Sequence, residues 1–222
     1  VRQALNYAVD RDAIRKALFA DVSEETTGPL APAVFGSHDY GPIKQDLEKA
    51  KALLAEAGYE NGVGFPETTY LYNTDDKHQA VAEALQSMWK NVLGVEVTLN
   101  NQDWNVFLET RSKGDYSICR NGWIADYNDP VSFLDMFMTD NGNNDAHYSN
   151  AEYDAIMTKV LSDSDAAGRM ELMHQAEDLL VGEDQAIAPL YYYSQPYMVA
   201  DDVHGMYYTP LGNFLFFHAT KG

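Results

Sequence analysis

Side chains that could bind a charged group are concentrated in residues 119–130. Within this stretch the carboxylate of Asp126 follows the aromatic ring of Trp123 by three positions. A carboxylate at the edge of an aromatic wall could hold a cation, and Gly122 leaves room for another backbone to approach closely. The spacing is also that of a plain strand, a turn and a capping aspartate, and spacing alone favours this simpler interpretation.

Two arginines accompany the same stretch. Arg111 and Arg120 lie before and at the end of one predicted strand. The planar guanidinium group presents a fork of donors that suits a carboxylate. With Asp126 as the complementary anion, the site would suit a zwitterion whose charged ends are well separated, and a short peptide is such a ligand. The alternative for each arginine is a surface ion pair.

Catalytic and metal-binding alternatives have less support in the sequence. The histidines match no known motif spacing, and no Gly-x-Ser-x-Gly, His-Glu-x-x-His or Gly-x-x-x-x-Gly-Lys pattern is present. Paired ligands at the spacing of zinc sites are also missing. Cys119 is interpreted as a small hydrophobic residue. Among enzymes, the sequence fits best a hydrolase that uses Asp126 and His78, and this alternative stays open.

The formal net charge of −19 excludes several classes of partner. Because nothing in such a chain would neutralise phosphates, we expect no nucleic-acid partner and no adsorption to an anionic membrane. No apolar run approaches the roughly 18 residues of a membrane helix. The single cysteine allows no internal disulfide. The chain opens in helical pattern without an initiator methionine, so we interpret it as part of a longer protein.

Alternating helical and strand patterns must position the candidate residues. An apolar stripe at helical spacing covers residues 75–93, and β-rich stretches lie on both sides of it. This order predicts an α/β fold in which helices flank a mixed sheet that contains strands 68–73, 95–100 and 115–121. Further helices are predicted over 1–20, with Asp10 or Asp12 as the cap of a second segment, over 47–57, over 104–112, from Pro130, over 150–162 and over 165–181.

Three other stretches are irregular in composition. Residues 21–46 are rich in glycine and proline and predict a long loop. Residues 187–193 predict an apolar strand in which Pro189 suits an edge or a bulge. The tail over 198–222 is rich in aromatic side chains without an amphipathic period.

Residues 120–130 resemble the signature of a known family. They read Arg-Asn-Gly-Trp-Ile-Ala-Asp-Tyr-Asn-Asp-Pro. This is similar to the pattern Arg-x-Gly-Trp-x-Ala-Asp-Tyr-x-(Asp/Glu)-Pro of the bacterial oligopeptide-binding proteins, which are family 5 extracellular solute-binding proteins of peptide-importing ABC transporters. The resemblance covers nearly the whole chain and includes residues 1–5, 10–12, 50–58, 72–74, 89–90, 93–95, 101–104, 146–148 and 189–193.

The resemblance implies a two-lobed receptor that closes on its ligand like a clamshell. Residues 1–195 would form the second, C-terminal lobe, and residues 196–222 would return to pack on an N-terminal lobe that lies outside this chain. The implied function is to bind short peptides in extended form and deliver them to an ABC permease, in the periplasm or on a lipid anchor outside the cytoplasm. The family implies no enzymatic activity, cofactor or metal. A receptor of the same fold for a metal chelate or a sugar remains the alternative.

The resemblance also assigns roles to particular residues. Asp126 corresponds to the aspartate that takes the α-ammonium group of the peptide. Gly122 and Ile124 correspond to the strand whose main chain pairs with the peptide, and Trp123 corresponds to a pocket wall. Arg111, Arg120 and His78 correspond to groups that lie near the C-terminal carboxylate of peptides of different lengths. Tyr193 corresponds to a further residue that contacts the ligand.

Overall fold

A computed structural model of the chain describes residues 1–19, 44–193, 197–209 and 211–222. In these residues three helices come first, three strands then alternate with two helices, and two further helices precede four short strands. The helices are α1 (Arg2–Tyr7), α2 (Arg11–Phe19), α3 (Leu47–Glu56), α4 (Asp76–Leu93), α5 (Trp104–Ser112), α6 (Ala151–Ser162) and α7 (Ala166–Glu177). The strands are β1 (Thr68–Asn73), β2 (Val97–Gln102), β3 (Ile118–Cys119), β4 (Val203–His204), β5 (Tyr207–Tyr208), β6 (Phe214–Leu215) and β7 (Thr220–Lys221).

The first three strands form one parallel sheet in the order β2-β1-β3, which confirms the predicted α/β class. β1 and β2 pair along their whole length, from Thr68 opposite Val97 to Asn73 opposite Gln102. Parallel neighbours need a crossover connection. Here α4 connects β1 to β2, and α5 connects β2 to β3.

Two strands have different boundaries from those predicted, because nearby groups already bond their main chain. The amide of Val95 donates to the carbonyl of Trp89 at the end of α4, so β2 begins two residues later than expected. The amides of Asp115 and Tyr116 donate to carbonyls of α5 and of the turn after it. β3 is therefore limited to two residues.

The first hydrophobic core lies between the sheet and the helices around it. The predicted helix over 1–20 is divided into α1 and α2, and Asp10 caps the second by accepting the amide of Ala13 at 2.8 Å. Asp75 caps α4 by accepting the amides of Lys77 and His78. The buried side chains of this core include Leu54, Tyr70, Val81, Leu85 and Trp89.

A second core lies between α6, α7 and the residues that precede them. The helices predicted over 150–162 and 165–181 are confirmed, and the second continues beyond α7 as a π-helix over Asp178–Glu183. The helix predicted from Pro130 is a short 3₁₀-helix, Pro130–Phe133. Tyr153 is fully buried in this core and donates its hydroxyl proton to the carbonyl of Leu134 at 2.7 Å.

Hydrogen bonds connect the first two helices of the chain to the segment 185–189, which follows the second core. Asn6 donates from Nδ2 to Oε1 of Gln185 at 3.0 Å in a buried contact. Arg11 donates from Nε to the carbonyl of Pro189 at 2.7 Å. The strand predicted over 187–193 is wrong, and only an isolated bridge at Tyr191 is present. Pro189 has no N–H for a ladder, and its carbonyl already accepts from Arg11.

The C-terminal segments contain two small antiparallel pairs, β4 with β7 and β5 with β6. Their aromatic rings pack on one another around Tyr208, whose ring centroid lies 5.6 Å from that of Tyr197 and 4.9 Å from that of Phe214. The long loop predicted over 21–46 lies almost wholly outside the described residues. In the part of the chain that the structure describes, no helix has both the length and the apolarity needed to cross a membrane.

Candidate functional site

The candidate site lies at the C-terminal edge of the parallel sheet. Because the three strands run parallel, their last residues, Asn73, Gln102 and Cys119, lie toward the same edge. Ligands of open α/β sheets usually bind at such an edge. Two of the predicted site residues follow these strand ends, His78 after β1 and Arg120 directly after β3.

Arg120 is held at this edge by three hydrogen bonds. Its main-chain N–H donates to the carbonyl of Leu71 at 2.8 Å. Its guanidinium group donates from Nη1 to Oδ1 of Asn73 at 3.3 Å and from Nη2 to the hydroxyl oxygen of Tyr193 at 2.9 Å. None of these partners is a carboxylate, so the positive charge of Arg120 remains available to a ligand.

The missing side chain of Gly122 leaves the space in which Arg120 and Tyr193 contact each other. A β-carbon at this position would lie 2.9 Å from Nη2 of Arg120 and 3.5 Å from Cε2 of Tyr193. The backbone of Gly122 is not in the left-handed region. The glycine is therefore needed for space rather than for its conformational freedom.

His78 lies against the same tyrosine. Its Nε2 is 3.4 Å from the hydroxyl oxygen of Tyr193, and its Nδ1 is 3.9 Å from Oδ1 of Asp75. Removal from water, followed by the positive charge of Arg120, lowers the pKa of His78 below its ordinary value. Both effects favour the neutral form of the imidazole ring over the charged form.

Arg111 reaches the site from the last turn of α5. Its Nε lies 2.7 Å from Oδ2 of Asp145 in an ion pair whose side chains are 16% and 13% exposed. Its Nη1 donates to Oδ1 of Asn121 at 2.9 Å, and that same oxygen accepts the amide of Gly122 at 2.8 Å. Arg111 therefore fixes the main chain beside Arg120, while Asp145 balances its charge.

The main chain beyond Gly122 is not part of the sheet. β3 ends at Cys119, so Gly122 and Ile124, which were expected on a strand, lie in a segment without regular structure. The ladder stops where the side chain of Asn121 bonds the backbone of Gly122. Within the described residues the amides of Trp123 and Ile124 donate to no protein group. Ile124 is also 76% exposed, so this main chain is accessible to another strand.

Asp126 and Trp123 meet at a buried serine. The amide of Asp126 donates to Oγ of Ser132 at 3.0 Å, and Nε1 of Trp123 lies 3.5 Å from the same oxygen. The ring of Trp123 packs against the second core. Asp126 is exposed, and its carboxylate bonds no group among the residues described. The negative charge of Asp126 is thus available to a ligand.

The structure therefore brings the predicted residues together in two groups. Arg120, His78, Tyr193 and Gly122 form one group, to which Arg111 is joined through Asn121. Trp123 and Asp126 form the other, and the exposed Ile124 lies between these two residues in the chain.

Sequence reasoning missed three further residues of this region. Asn73 ends β1, and Trp104 follows β2, is 51% exposed and stacks on Phe107. Their positions at strand ends could have identified both. Ser132 has no comparable signal, because its contact with Asp126 depends on how the chain returns after Pro130.

The arrangement can bind opposite charges, and three observations describe its reactive groups. Burial raises the pKa of Cys119 to about 12, so its nucleophilic thiolate form is scarce at neutral pH. Across the described ranges, no cluster of three or more His, Cys, Asp or Glu side chains could hold a metal ion. Asp126 and His78 share no hydrogen bond in those ranges.

Comparison with known proteins identifies the family. Residues 1–145 match the family model described as bacterial extracellular solute-binding proteins, family 5 Middle. This match covers more than half of the chain. The chain belongs to the family 5 bacterial extracellular solute-binding proteins.

Individual relatives agree with this assignment. The periplasmic oligopeptide-binding protein OppA of Escherichia coli strain K12 is 40% identical over 212 residues, which cover 92% of this chain and 38% of that protein. The oligopeptide-binding protein OppA of Bacillus subtilis strain 168 is 33% identical over 230 residues, covering 99% of this chain and 42% of that protein. The chain therefore spans about two fifths of the length of these relatives.

Solved structures confirm the fold. The crystal structure of Haemophilus influenzae OppA in complex with RPPGFSPFR matches with a TM-score of 0.84 and 33% identity, covering 92% of this chain and 41% of that one. The structural neighbours are two-lobed periplasmic binding proteins, and this chain corresponds to one part of them.

Proposed function

We propose that this chain is the C-terminal ligand-binding lobe of an extracytoplasmic receptor, which binds short peptides in extended form and delivers them to an ABC permease. The observation that supports this most directly is the accessible main chain at Trp123 and Ile124. It lies between a cation, Arg120, and an anion, Asp126. An extended peptide can add to such a main chain as a further strand, and its charged ends can meet opposite charges.

Asp126 is the proposed anchor of the peptide's ammonium group. Its carboxylate has no protein partner among the described residues, while its amide is tied to Ser132. Closure of a second lobe would exclude water from this place, and an ion pair between carboxylate and ammonium is stronger there than at an open surface. Trp123 beside it would form the wall of a side-chain pocket.

Arg120, His78 and Tyr193 are the proposed binding site of the peptide's carboxylate. A guanidinium group has five N–H donors. One bond goes to Asn73 and one to Tyr193, so the remaining donors suffice for a bidentate contact with a carboxylate. Arg111 would serve peptides of another length, with its charge partly balanced by Asp145.

The chain matches only about two fifths of the length of its relatives, which supports a domain arrangement with a further lobe. Residues 1–195 would form one lobe, and residues 196–222 would return to an N-terminal lobe outside this chain. The tail exposes large apolar side chains, with Met198 99% and Phe217 83% exposed. Another lobe would cover such a surface. The periplasmic relatives support a location outside the cytoplasm.

A peptide library tests the proposal on the two-lobed receptor. The protein is incubated with peptides of two to six residues, and mass spectrometry then identifies the retained peptides and the composition of the remainder. We expect retention of peptides with free termini and an otherwise unchanged library. Cleavage of peptides would show a hydrolase instead. Retention of no peptide, with a metal chelate or a sugar bound to the purified protein, would show the alternative receptor class.

A further inference from the structure

The hydroxyl group of Ser132 lies beneath the residue that carries the proposed ammonium anchor. Ser132 is only 1% exposed. Its oxygen accepts the amide of Asp126 at 3.0 Å and the indole N–H of Trp123 at 3.5 Å. A serine oxygen has two acceptor lone pairs, so it can serve both donors at once. One buried atom thus joins the main chain of the anchor to the aromatic wall beside it.

Ser132 is itself tied firmly to the second core. It lies in the 3₁₀-helix that Asp129 caps by accepting the amide of Val131 at 3.0 Å. Both carboxylate oxygens of Asp129 also accept from Nη2 of Arg169, at 3.1 Å and 3.0 Å. Arg169 in turn donates from Nε to the carbonyl of Val160 at 3.1 Å. These bonds connect the turn under Asp126 to α6 and α7.

The hydrogen bond to Ser132 preorganises Asp126 for ligand binding. Asp126 is exposed and its carboxylate has no partner among the described residues, so only its main chain restricts its direction. A group that is restricted before the ligand arrives loses less conformational freedom on binding. The bond from the Asp126 amide to Ser132 supplies this restriction, because Ser132 belongs to a packed core.

We propose that Ser132 is a positioning residue that directs the Asp126 carboxylate toward the amino end of the peptide. This inference rests on the proposed function, in which Asp126 binds the ammonium group. Ser132 does not touch the ligand and acts only through its hydrogen bond to the amide of Asp126.

The test is Ser132→Ala in the two-lobed receptor, with calorimetry on one peptide in two forms. The free peptide has an ammonium group, and the N-acetylated peptide has none. We expect affinity for the free peptide to fall roughly 5- to 10-fold, as for the loss of one neutral hydrogen bond. Affinity for the acetylated peptide should change less than about twofold, because nothing there depends on the direction of the carboxylate. Amide exchange at Asp126 should also become faster.

Two further variants separate positioning from packing. Val131→Ala removes a buried apolar side chain from the same turn without removing a hydrogen bond, and Val131 is 3% exposed. It should lower thermal stability while leaving the ratio of free to acetylated affinity unchanged. In an Asp126→Asn background, Ser132→Ala should cause no additional loss for the free peptide, since no carboxylate remains to be positioned.

The outcomes distinguish this inference from the proposed function. If Ser132→Ala weakens both peptides equally, or keeps its full effect in the Asp126→Asn background, Ser132 is a packing residue and the inference is overturned while peptide binding stands. If Asp126→Asn alone leaves the affinity for the free peptide unchanged, the proposed role of Asp126 is wrong, and the role of Ser132 is wrong with it.

Discussion

Arg120 donates from Nη2 to the hydroxyl oxygen of Tyr193 at 2.9 Å, across 73 positions of the chain. His78, from the first turn of α4, lies 3.4 Å from the same oxygen. A strand end, a helix start and the segment after the second core therefore meet at one phenol group. The proposed carboxylate end of the site exists only when all three are folded together.

Gly122→Ala should disturb the contact between Arg120 and Tyr193 without unfolding the protein. The new methyl group would lie 2.9 Å from Nη2 of Arg120, and a guanidinium group at the end of a flexible side chain can move away. We expect a loss of peptide affinity of roughly 3- to 10-fold, with unfolding free energy changed by less than about 1 kcal/mol. Calorimetry and thermal unfolding measure the two effects.

The matched control for this variant is Gly142→Ala, where an added methyl group would meet nothing within 4 Å. This control should keep wild-type affinity. If Gly122→Ala also binds the peptide with wild-type affinity, the contact between Arg120 and Tyr193 does not matter for binding.

Arg120→Gln should discriminate between peptides that differ only at the carboxyl end. Loss of a charged, hydrogen-bonded partner costs about 2 kcal/mol or more, or about 30-fold in affinity. We expect this loss for a peptide with a free carboxylate and a much smaller one for its C-terminal amide, measured by calorimetry. Arg15→Gln is the control, since Arg15 pairs with Asp12 on α2 at 2.7 Å. An equal loss for both peptides would argue against carboxylate recognition by Arg120.

His78 should make stability depend on pH in the mildly acidic range. Its pKa is lowered from the ordinary value of 6.5 in the folded protein, first by desolvation and then by Arg120. The unfolded chain therefore binds the proton more readily. The contribution is fully present above about pH 6.5 and is lost as the pH falls toward the lowered pKa.

Denaturant unfolding at a series of pH values tests this dependence. The free energy of unfolding of wild type should decrease below about pH 6.5, and His78→Gln should decrease less over the same interval. His204→Gln, at an exposed position, should follow wild type. Identical slopes in wild type and His78→Gln would contradict the lowered pKa.

The chain by itself should bind peptides far more weakly than the two-lobed receptor. A ligand on one lobe keeps one face in water and makes only part of its main-chain hydrogen bonds. We expect affinity to be lower by at least about 100-fold. Calorimetry with the same peptide on both proteins measures this, and equal affinities would mean that this lobe supplies the whole site.

Local sequence signals predicted the elements whose ends are set by nearby residues. α4 was predictable because Asp75 caps its first turn and Gly94 closes it in the left-handed conformation. The strand predicted over 187–193 failed for a long-range reason. The carbonyl of Pro189 accepts from Arg11, 178 positions away, and no local pattern contains that contact.

In the candidate site, too, the sequence predicted the residue types but not the long-range contacts. The types and spacing of Arg120, Gly122 and Asp126 were visible in the sequence, as was the family signature that they form. The contacts that organise them were not, because the bond to Tyr193 spans 73 positions. No local sequence pattern distinguishes Ser132 from other serines. Its contact with the amide of Asp126 forms only in the folded chain.

The most direct test of peptide recognition is Asp126→Asn in the two-lobed receptor, measured by calorimetry with free and N-acetylated forms of one peptide. Removing one partner of an ion pair shielded from water costs about 2–5 kcal/mol, so affinity for the free peptide should fall about 30-fold or more. Wild type should bind the acetylated peptide poorly, and the substitution should change that binding little. Asp115→Asn, at an exposed aspartate before β3, should behave as wild type. Equal wild-type affinity for both peptides, or wild-type affinity of Asp126→Asn for the free peptide, would show that Asp126 does not bind the ammonium group of the peptide.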